Sequence, residues 1–156
     1  MAASAALSGV ALAGDPVLWG LFGAAFAAAT LVPAQSEVLL VALLVQAERD
    51  PWLLVAVATL GNTLGSCVNW GLGRFLRHMA DKPWFPAPHK ALARAERVYN
   101  RWGLPSLLLA WTPFLGDPLT VVAGSLRVPF LPFVVLVALG KGGRYVVVML
   151  GTLGWL

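Results

Sequence analysis

The feature that most constrains this chain is an apolar run from residue 17 to residue 45 that the polar segment Pro33–Glu37 interrupts. One continuous helix over these residues would be about 44 Å long, which exceeds the roughly 30 Å of membrane hydrocarbon. Each half alone is too short to cross. Because hydrocarbon does not solvate a carboxylate, Glu37 needs partners within the fold. We interpret the run as two half-helices of a re-entrant hairpin, with half of a binding site at its tip.

The composition indicates a membrane protein without a separate soluble domain. Of the 156 residues, 59% are hydrophobic and only 12% are charged, which is far from the balance of a soluble domain. Two further apolar runs, Leu53–Phe75 and Phe130–Leu156, are long enough for complete spans. We therefore predict one all-α integral membrane domain that covers residues 1–156.

The basic residues are concentrated between the two membrane-length regions. The segment from Arg74 to Arg101 carries a net charge of +5, whereas the remainder of the chain carries −1. Basic loops beside membrane segments stay in the cytoplasm, so we expect this loop to be cytoplasmic. Within it, His89–Trp102 has the spacing of an amphipathic helix at the membrane surface. Flanking membrane segments on both sides argue against a nucleic-acid partner.

The chain contains an internal repeat. Pro33 stands four residues before Glu37, and Pro113 stands four residues before Asp117. The dipeptide Gly61-Asn62 follows the first acid at nearly the distance at which Gly140-Lys141 follows the second, and the offsets between the halves are 80 and 79. This pattern predicts an inverted repeat, each half a re-entrant hairpin followed by a transmembrane helix. The predicted parts are a first repeat over 17–76, a basic loop with its interfacial helix over 77–102, and a second repeat over 103–156.

Three Asp-Pro pairs predict helix starts. They are Asp15-Pro16, Asp50-Pro51 and Asp117-Pro118. An Asp side chain accepts hydrogen bonds from the free amides of a helix start, and Pro is tolerated at the first helical position. We expect all three pairs to begin membrane segments in this way.

Four charged residues in the apolar regions are the candidate binding and proton-coupling site. Glu37 and Asp117 stand at the predicted starts of two facing half-helices, where they could either cap the amides or exchange a proton with water. Lys141 and Arg144 lie three residues apart on one helical face, too deep in a span to reach the interface easily. We expect them to pair with the acids or with an anionic headgroup. The predicted supporting residues are Pro33, Ser36, Asn62, Asn69 and Pro113.

The order of these motifs resembles the YqaA-like branch of the DedA family of membrane proteins, also described as SNARE-associated or VTT-domain proteins. The resemblance covers roughly residues 19 to 150. The segments that carry it are Pro33–Glu37, Gly61–Gly65 with Asn69-Trp70 and Gly73-Arg74, Tyr99–Gly103, and Trp111–Gly124. It implies two re-entrant hairpins, a bacterial inner-membrane location, and proton-coupled translocation of a lipid or polyprenyl-phosphate carrier.

This sequence departs from the family pattern in the second hairpin. The general pattern has arginines around the proline, whereas here Trp111 precedes Pro113 and Asp117 follows it. Lys141 or Arg144 would have to supply the missing positive charge to a phosphate group. Trp111 therefore joins the predicted supporting residues.

We predict a multi-pass transporter, a flippase or scramblase of an amphipathic anionic lipid, whose partners are membrane lipid and protons or another cation. The alternatives are a carrier of small solutes or ions, and an assembly or membrane-shaping factor in which the acids only cap helices. An enzyme is not expected, because the spans contain no Ser/His pair, metal-ligand cluster or nucleophile beside a base. No cofactor or metal is expected. Two full spans enclose a pocket thinly, so a homodimer is a further expectation.

Overall fold

The computed structural model describes residues 14–29, 35–79, 89–112 and 115–155, and every regular element in these ranges is helical. Pro33 and Pro113 lie outside the described residues. In chain order the elements are α1 (Pro16–Ala28), α2 (Gln35–Gln46), α3 (Pro51–Met79), α4 (His89–Trp102), the 3₁₀ helix η1 (Leu104–Trp111), α5 (Gly116–Ser125) and α6 (Phe130–Trp155). An all-helical membrane protein is consistent with this architecture.

Two of the three Asp-Pro pairs begin helices as predicted. The Asp15 carboxylate accepts a hydrogen bond of 2.9 Å from the Val17 amide. Asp50 likewise accepts hydrogen bonds from the first amides of α3. The third prediction is wrong, because α5 begins at Gly116 and Asp117 already lies inside its first turn, where its side chain makes no capping bond. That carboxylate contacts Lys141 instead.

Two helices have the length and apolarity of transmembrane spans. They comprise residues Pro51–Phe75 of α3 and Phe130–Trp155 of α6. Helices α1 and α2 are apolar but shorter, with 13 and 12 residues. The segment from Leu104 was predicted as half of a second hairpin, and it forms the 3₁₀ helix η1 rather than an α-helix.

The apolar core consists of two clusters at opposite ends of the molecule. The first cluster joins α1 and α2 to the start of α3 and the C-terminal half of α6; its members are Leu18, Leu21, Ala25, Leu40, Leu43, Leu44, Leu54, Val55, Ala58, Tyr145 and Met149. The second cluster joins α4, η1 and α5 to the N-terminal half of α6; its members are Ala95, Leu107, Ala110, Leu119, Val122, Ala123, Val128, Phe133 and Val137. Each end of the molecule is therefore packed around one pair of short helices.

Glycines bring α3 into direct backbone contact with both neighbouring short helices. A side chain at Gly61 or Gly65 would collide with backbone carbonyls of α1. A side chain at Gly73 would collide with the Val121 carbonyl of α5, and one at Gly124 would collide with the Trp70 carbonyl of α3. Small residues at helix interfaces allow this close approach in membranes. Helix α3 is thus the central element against which α1 and α5 pack.

Helix α4 is amphipathic, as the sequence predicts. Ala95 is fully buried against the second cluster, whereas Arg94, Arg97 and Arg101 are exposed. Trp102 is also exposed, and the Arg101 guanidinium lies 5.7 Å from the centre of its ring. The helix therefore presents a basic surface with one aromatic side chain. After α4, Gly103 has a φ of 65°, a conformation that favours glycine, and it turns the chain into η1.

Candidate functional site

Two ion pairs lie between the two apolar clusters. Glu37, in the first turn of α2, pairs with Arg144 of α6. Asp117, in the first turn of α5, pairs with Lys141 of α6 at 3.3 Å. The structure thus brings together all four charged residues that the sequence analysis selected. Both acids occupy helix N-termini, where the helix dipole stabilises a negative charge, and the four charges sum to zero.

Lys141 is the most deeply buried of the four charged residues. Only 4% of its surface is exposed, and its ammonium group donates to Asn62 Oδ1 and to the Asp117 carboxylate. A buried ammonium group requires both charge compensation and hydrogen-bond acceptors. Asn62, on α3, therefore completes the coordination of Lys141 and connects α3 to α6. The pair Asn62 and Lys141 forms a direct bridge between the two spans.

Arg144 lies at the edge of the site. About a fifth of its side chain is exposed, and the Glu37 side chain is 25% exposed. Besides its pairing with Glu37, Arg144 donates a hydrogen bond of 2.9 Å to the carbonyl of Trp111 at the end of η1. Trp111 therefore contributes its backbone to the site, while its side chain is half exposed. Arg144 connects the starts and ends of three different elements.

Tyr145 is a member of the site that the sequence analysis missed. Its hydroxyl accepts a hydrogen bond of 2.7 Å from Asn62 Nδ2 and shares a second one, of 2.9 Å, with Ser36 Oγ. These bonds connect the Lys141 pair to the residue that precedes Glu37. The spacing offered a signal, because Tyr145 stands four residues after Lys141 and so shares its helical face. An aromatic residue in an apolar span reads as packing unless its hydroxyl is considered.

The pocket between the two ion pairs is small. Its free space is about 10 Å³, which is close to the minimum for one water molecule. Its lining comprises Ala28, Asn62, Ala110, Thr112, Asp117, Lys141, Arg144 and Tyr145. The arrangement is therefore a closed one, in which the two acids and two cations fill the space that a headgroup would need.

Asn69 differs from its predicted position. Its side-chain amide donates a hydrogen bond of 2.7 Å to the carbonyl of Ala29, at the end of α1. It stands seven residues from Asn62, about 10 Å along α3, and is not part of the pocket lining. The physical reason is that the last carbonyls of a helix lack partners within the helix and need a donor from elsewhere. Asn69 satisfies one of these carbonyls.

An all-helical chain with two span-length apolar helices and a buried layer of four paired charges is typical of integral membrane proteins that act on a polar group within the bilayer. Comparison with known families agrees with this class. The VTT domain matches residues 32–153. The chain belongs to the VTT-domain family, which is the DedA family.

The most informative relatives are bacterial. The chain is 40% identical over 135 residues to the inner membrane protein YqaA of Escherichia coli (strain K12), which covers 86% of this chain and 90% of that protein. The match to the inner membrane protein YqaA of Shigella flexneri has the same values. An uncharacterized protein of Haemophilus influenzae is 35% identical over 136 residues, or 83% of each chain. No solved structure matches this chain. The protein is accordingly a bacterial inner-membrane protein.

Proposed function

We propose that this protein translocates an anionic lipid, such as a polyprenyl-phosphate carrier, across the inner membrane in exchange with protons. The observation that carries this proposal is the pairing of Glu37 with Arg144 and of Asp117 with Lys141 between two apolar clusters. Buried charges in a membrane are expensive to maintain. A chain that only needed helix caps could use uncharged side chains at both acidic positions.

Proton exchange resolves the apparent conflict between two acids and an anionic substrate. With both pairs formed, the site is neutral and Arg144 is occupied by Glu37. Protonation of Glu37 would cancel its charge and leave Arg144 free to bind one phosphate oxygen. One proton and one negative charge of the headgroup would then enter the site together. Lys141 and Asp117, which are more deeply placed, would keep the second pair intact.

We further propose that the two halves form an inverted repeat with two re-entrant hairpins, α1–α2 and η1–α5. Gly61 of α3 approaches a carbonyl of α1, and Gly140 of α6 approaches the Leu108 carbonyl of η1. Asn62 and Lys141, the residues that follow these glycines, bond to each other. Contact between equivalent residues is what a two-fold axis between repeats produces. Both chain ends would then face the periplasm, and a cytoplasmic tag at Leu156 would contradict this topology.

Liposomes that contain the purified protein and a fluorescent phosphate-bearing lipid test the proposed function under an imposed pH gradient. Glu37→Gln keeps the size of the side chain but removes the proton site, so we expect it to abolish gradient-driven lipid movement. Glu48→Gln is the matched control, because the Glu48 side chain is 70% exposed and lies outside the site. Equal lipid movement in wild type, Glu37→Gln and Glu48→Gln would overturn the role of Glu37.

One observation favours a second candidate, a carrier of small ions. The free space in the pocket suits about one water molecule and is far too small for a headgroup without rearrangement. Solute or ion flux without lipid movement in the same liposomes would support this alternative. If neither lipid nor solute moves, transport is excluded and a role as an assembly or membrane-shaping factor follows.

A further inference from the structure

A groove on the surface of the molecule begins at the Glu37–Arg144 pair and follows α2 and α6 toward their C-terminal ends. Its first part, about 600 Å³, is lined by Glu37 and Trp111 together with the segment 140–148 of α6. Its second part, about 440 Å³, is lined by Val41 and Val45 of α2 and by the end of α6. Val148 lines both parts, so the two parts are continuous.

The dimensions of the groove follow from the two helices. Along α6 it extends from Arg144 to Trp155, eleven residues or about 16 Å at 1.5 Å per residue. The lining beyond the ion pair is apolar apart from Thr152, whose hydroxyl donates to a backbone carbonyl within α6 and is thereby satisfied. Such a groove accommodates about a dozen methylene groups of one extended chain.

Glycines leave the space for this groove. Gly143 and Gly151 line its two parts, and a Cβ atom added at either position would meet nothing within 4 Å. Helix interiors disfavour glycine relative to alanine, so both positions forgo helix stability without any backbone contact that needs the missing side chain. Gly140 differs, because it packs directly against the carbonyl of Leu108.

We infer that this groove holds one hydrocarbon chain of the transported lipid while Arg144 binds its anionic headgroup. The inference rests on the proposed function, and it adds a binding site for the apolar part of the substrate. Within a bilayer, an apolar surface gives no hydrophobic preference for a bound chain over the surrounding lipid. Selection must therefore come from the charge at the inner end of the groove, and Arg144 is the cation placed there.

Photo-labelling tests the groove directly. The probe is a single-chain C16 alkyl phosphate with a diazirine near the end of its chain, added to the full-length protein in phosphatidylcholine vesicles, and the labelled residues are mapped by mass spectrometry. We expect labels at Val41, Val45 and Gly151. The same chain with an uncharged alcohol headgroup is expected to label these positions about tenfold less, because one charge-assisted hydrogen-bond pair is lost.

Filling the groove provides the decisive comparison. Gly151→Leu places a side chain in the second part, and we expect it to lower labelling by about tenfold through lost packing contacts. Gly20→Leu is the matched control: Gly20 is exposed on α1, near the same end of the molecule, and likewise has open space around it. Equal labelling of these two variants, or equal labelling by the phosphate and alcohol probes, would overturn the inference.

The same vesicles separate this inference from the proposed function. If wild type moves lipid and Gly151→Leu moves it equally well with undiminished labelling, the groove is refuted and the transport proposal stands. If wild type is labelled in the groove as expected but moves no lipid under a pH gradient, the chain-binding site stands and transport is refuted. A loss of both labelling and lipid movement in Gly151→Leu, with both retained in Gly20→Leu, supports the inference.

Discussion

Replacement of Lys141 by methionine isolates the energetic role of the buried ion pair. Methionine retains the length of the side chain but leaves the Asp117 carboxylate and Asn62 Oδ1 without their shared donor. Breaking a fully buried pair costs about 3–5 kcal/mol. Because the Asp117 side chain keeps 29% of its exposure, water screens part of that penalty, and we expect a loss of about 2–3 kcal/mol in unfolding free energy.

A double-mutant cycle distinguishes the pair from its parts. Asp117→Asn alone should also destabilise the protein, whereas the combination with Lys141→Met should cost less than the sum of the single changes by about 1 kcal/mol or more. Unfolding by sodium dodecyl sulfate in mixed micelles measures each free energy. Leu139→Met is the control, since Leu139 is 62% exposed on the same helix and should change stability by less than about 0.5 kcal/mol. Additive costs, or a Lys141→Met protein as stable as the control, would refute the reasoning.

Three further changes give distinct expectations. Gly73→Ala forces a Cβ onto a backbone carbonyl of α5 and should cost about 2 kcal/mol or more, whereas Gly71→Ala, with open space around it, should be neutral or slightly stabilising; mixed-micelle unfolding compares the two. Tyr145→Phe leaves its two hydrogen-bond partners unpaired and should cost about 1–3 kcal/mol, and a wild-type unfolding curve would contradict the assigned network. The hydrogen bond from Arg49 lowers the pKa of Asp15 below its ordinary 3.8, so this pair stabilises the fold above that pH and its contribution is lost as the pH falls through the lowered pKa. Thermal unfolding at a series of acidic pH values should therefore fall less steeply in Arg49→Gln, and parallel curves would exclude the pair as a cause.

Much of the helical architecture could be predicted from the sequence, because long apolar runs with clear polar ends determine it. The predicted spans and the amphipathic helix His89–Trp102 agree with the structure to within a few residues. Asp117 was predicted as a cap because Asp-Pro has that local preference. A tertiary contact with Lys141 prevails there, and local sequence patterns carry no information about which distant cation will be near.

The charged residues of the site could be selected from the sequence, but their partners could not. A charge in an apolar run is conspicuous, since its burial requires compensation. The pairing of Glu37 with Arg144, and of Asp117 with Lys141, depends on the helical phase of α6 relative to two hairpin tips. Tyr145 was missed for the opposite reason, because its ring fits an apolar span and only the folded structure reveals the use of its hydroxyl.

The glycine contacts of α3 determine which parts of the molecule move independently. Helices α1 and α5 touch α3 through backbone atoms, with no intervening side chains that could change rotamer to absorb a shift. These three helices therefore form a rigid frame. Helices α2 and α6 meet across side chains and an open groove, and their polar contact is an ion pair that a proton can dissolve. Opening of the closed site should accordingly proceed by displacement of α2 and α6 against a stationary frame.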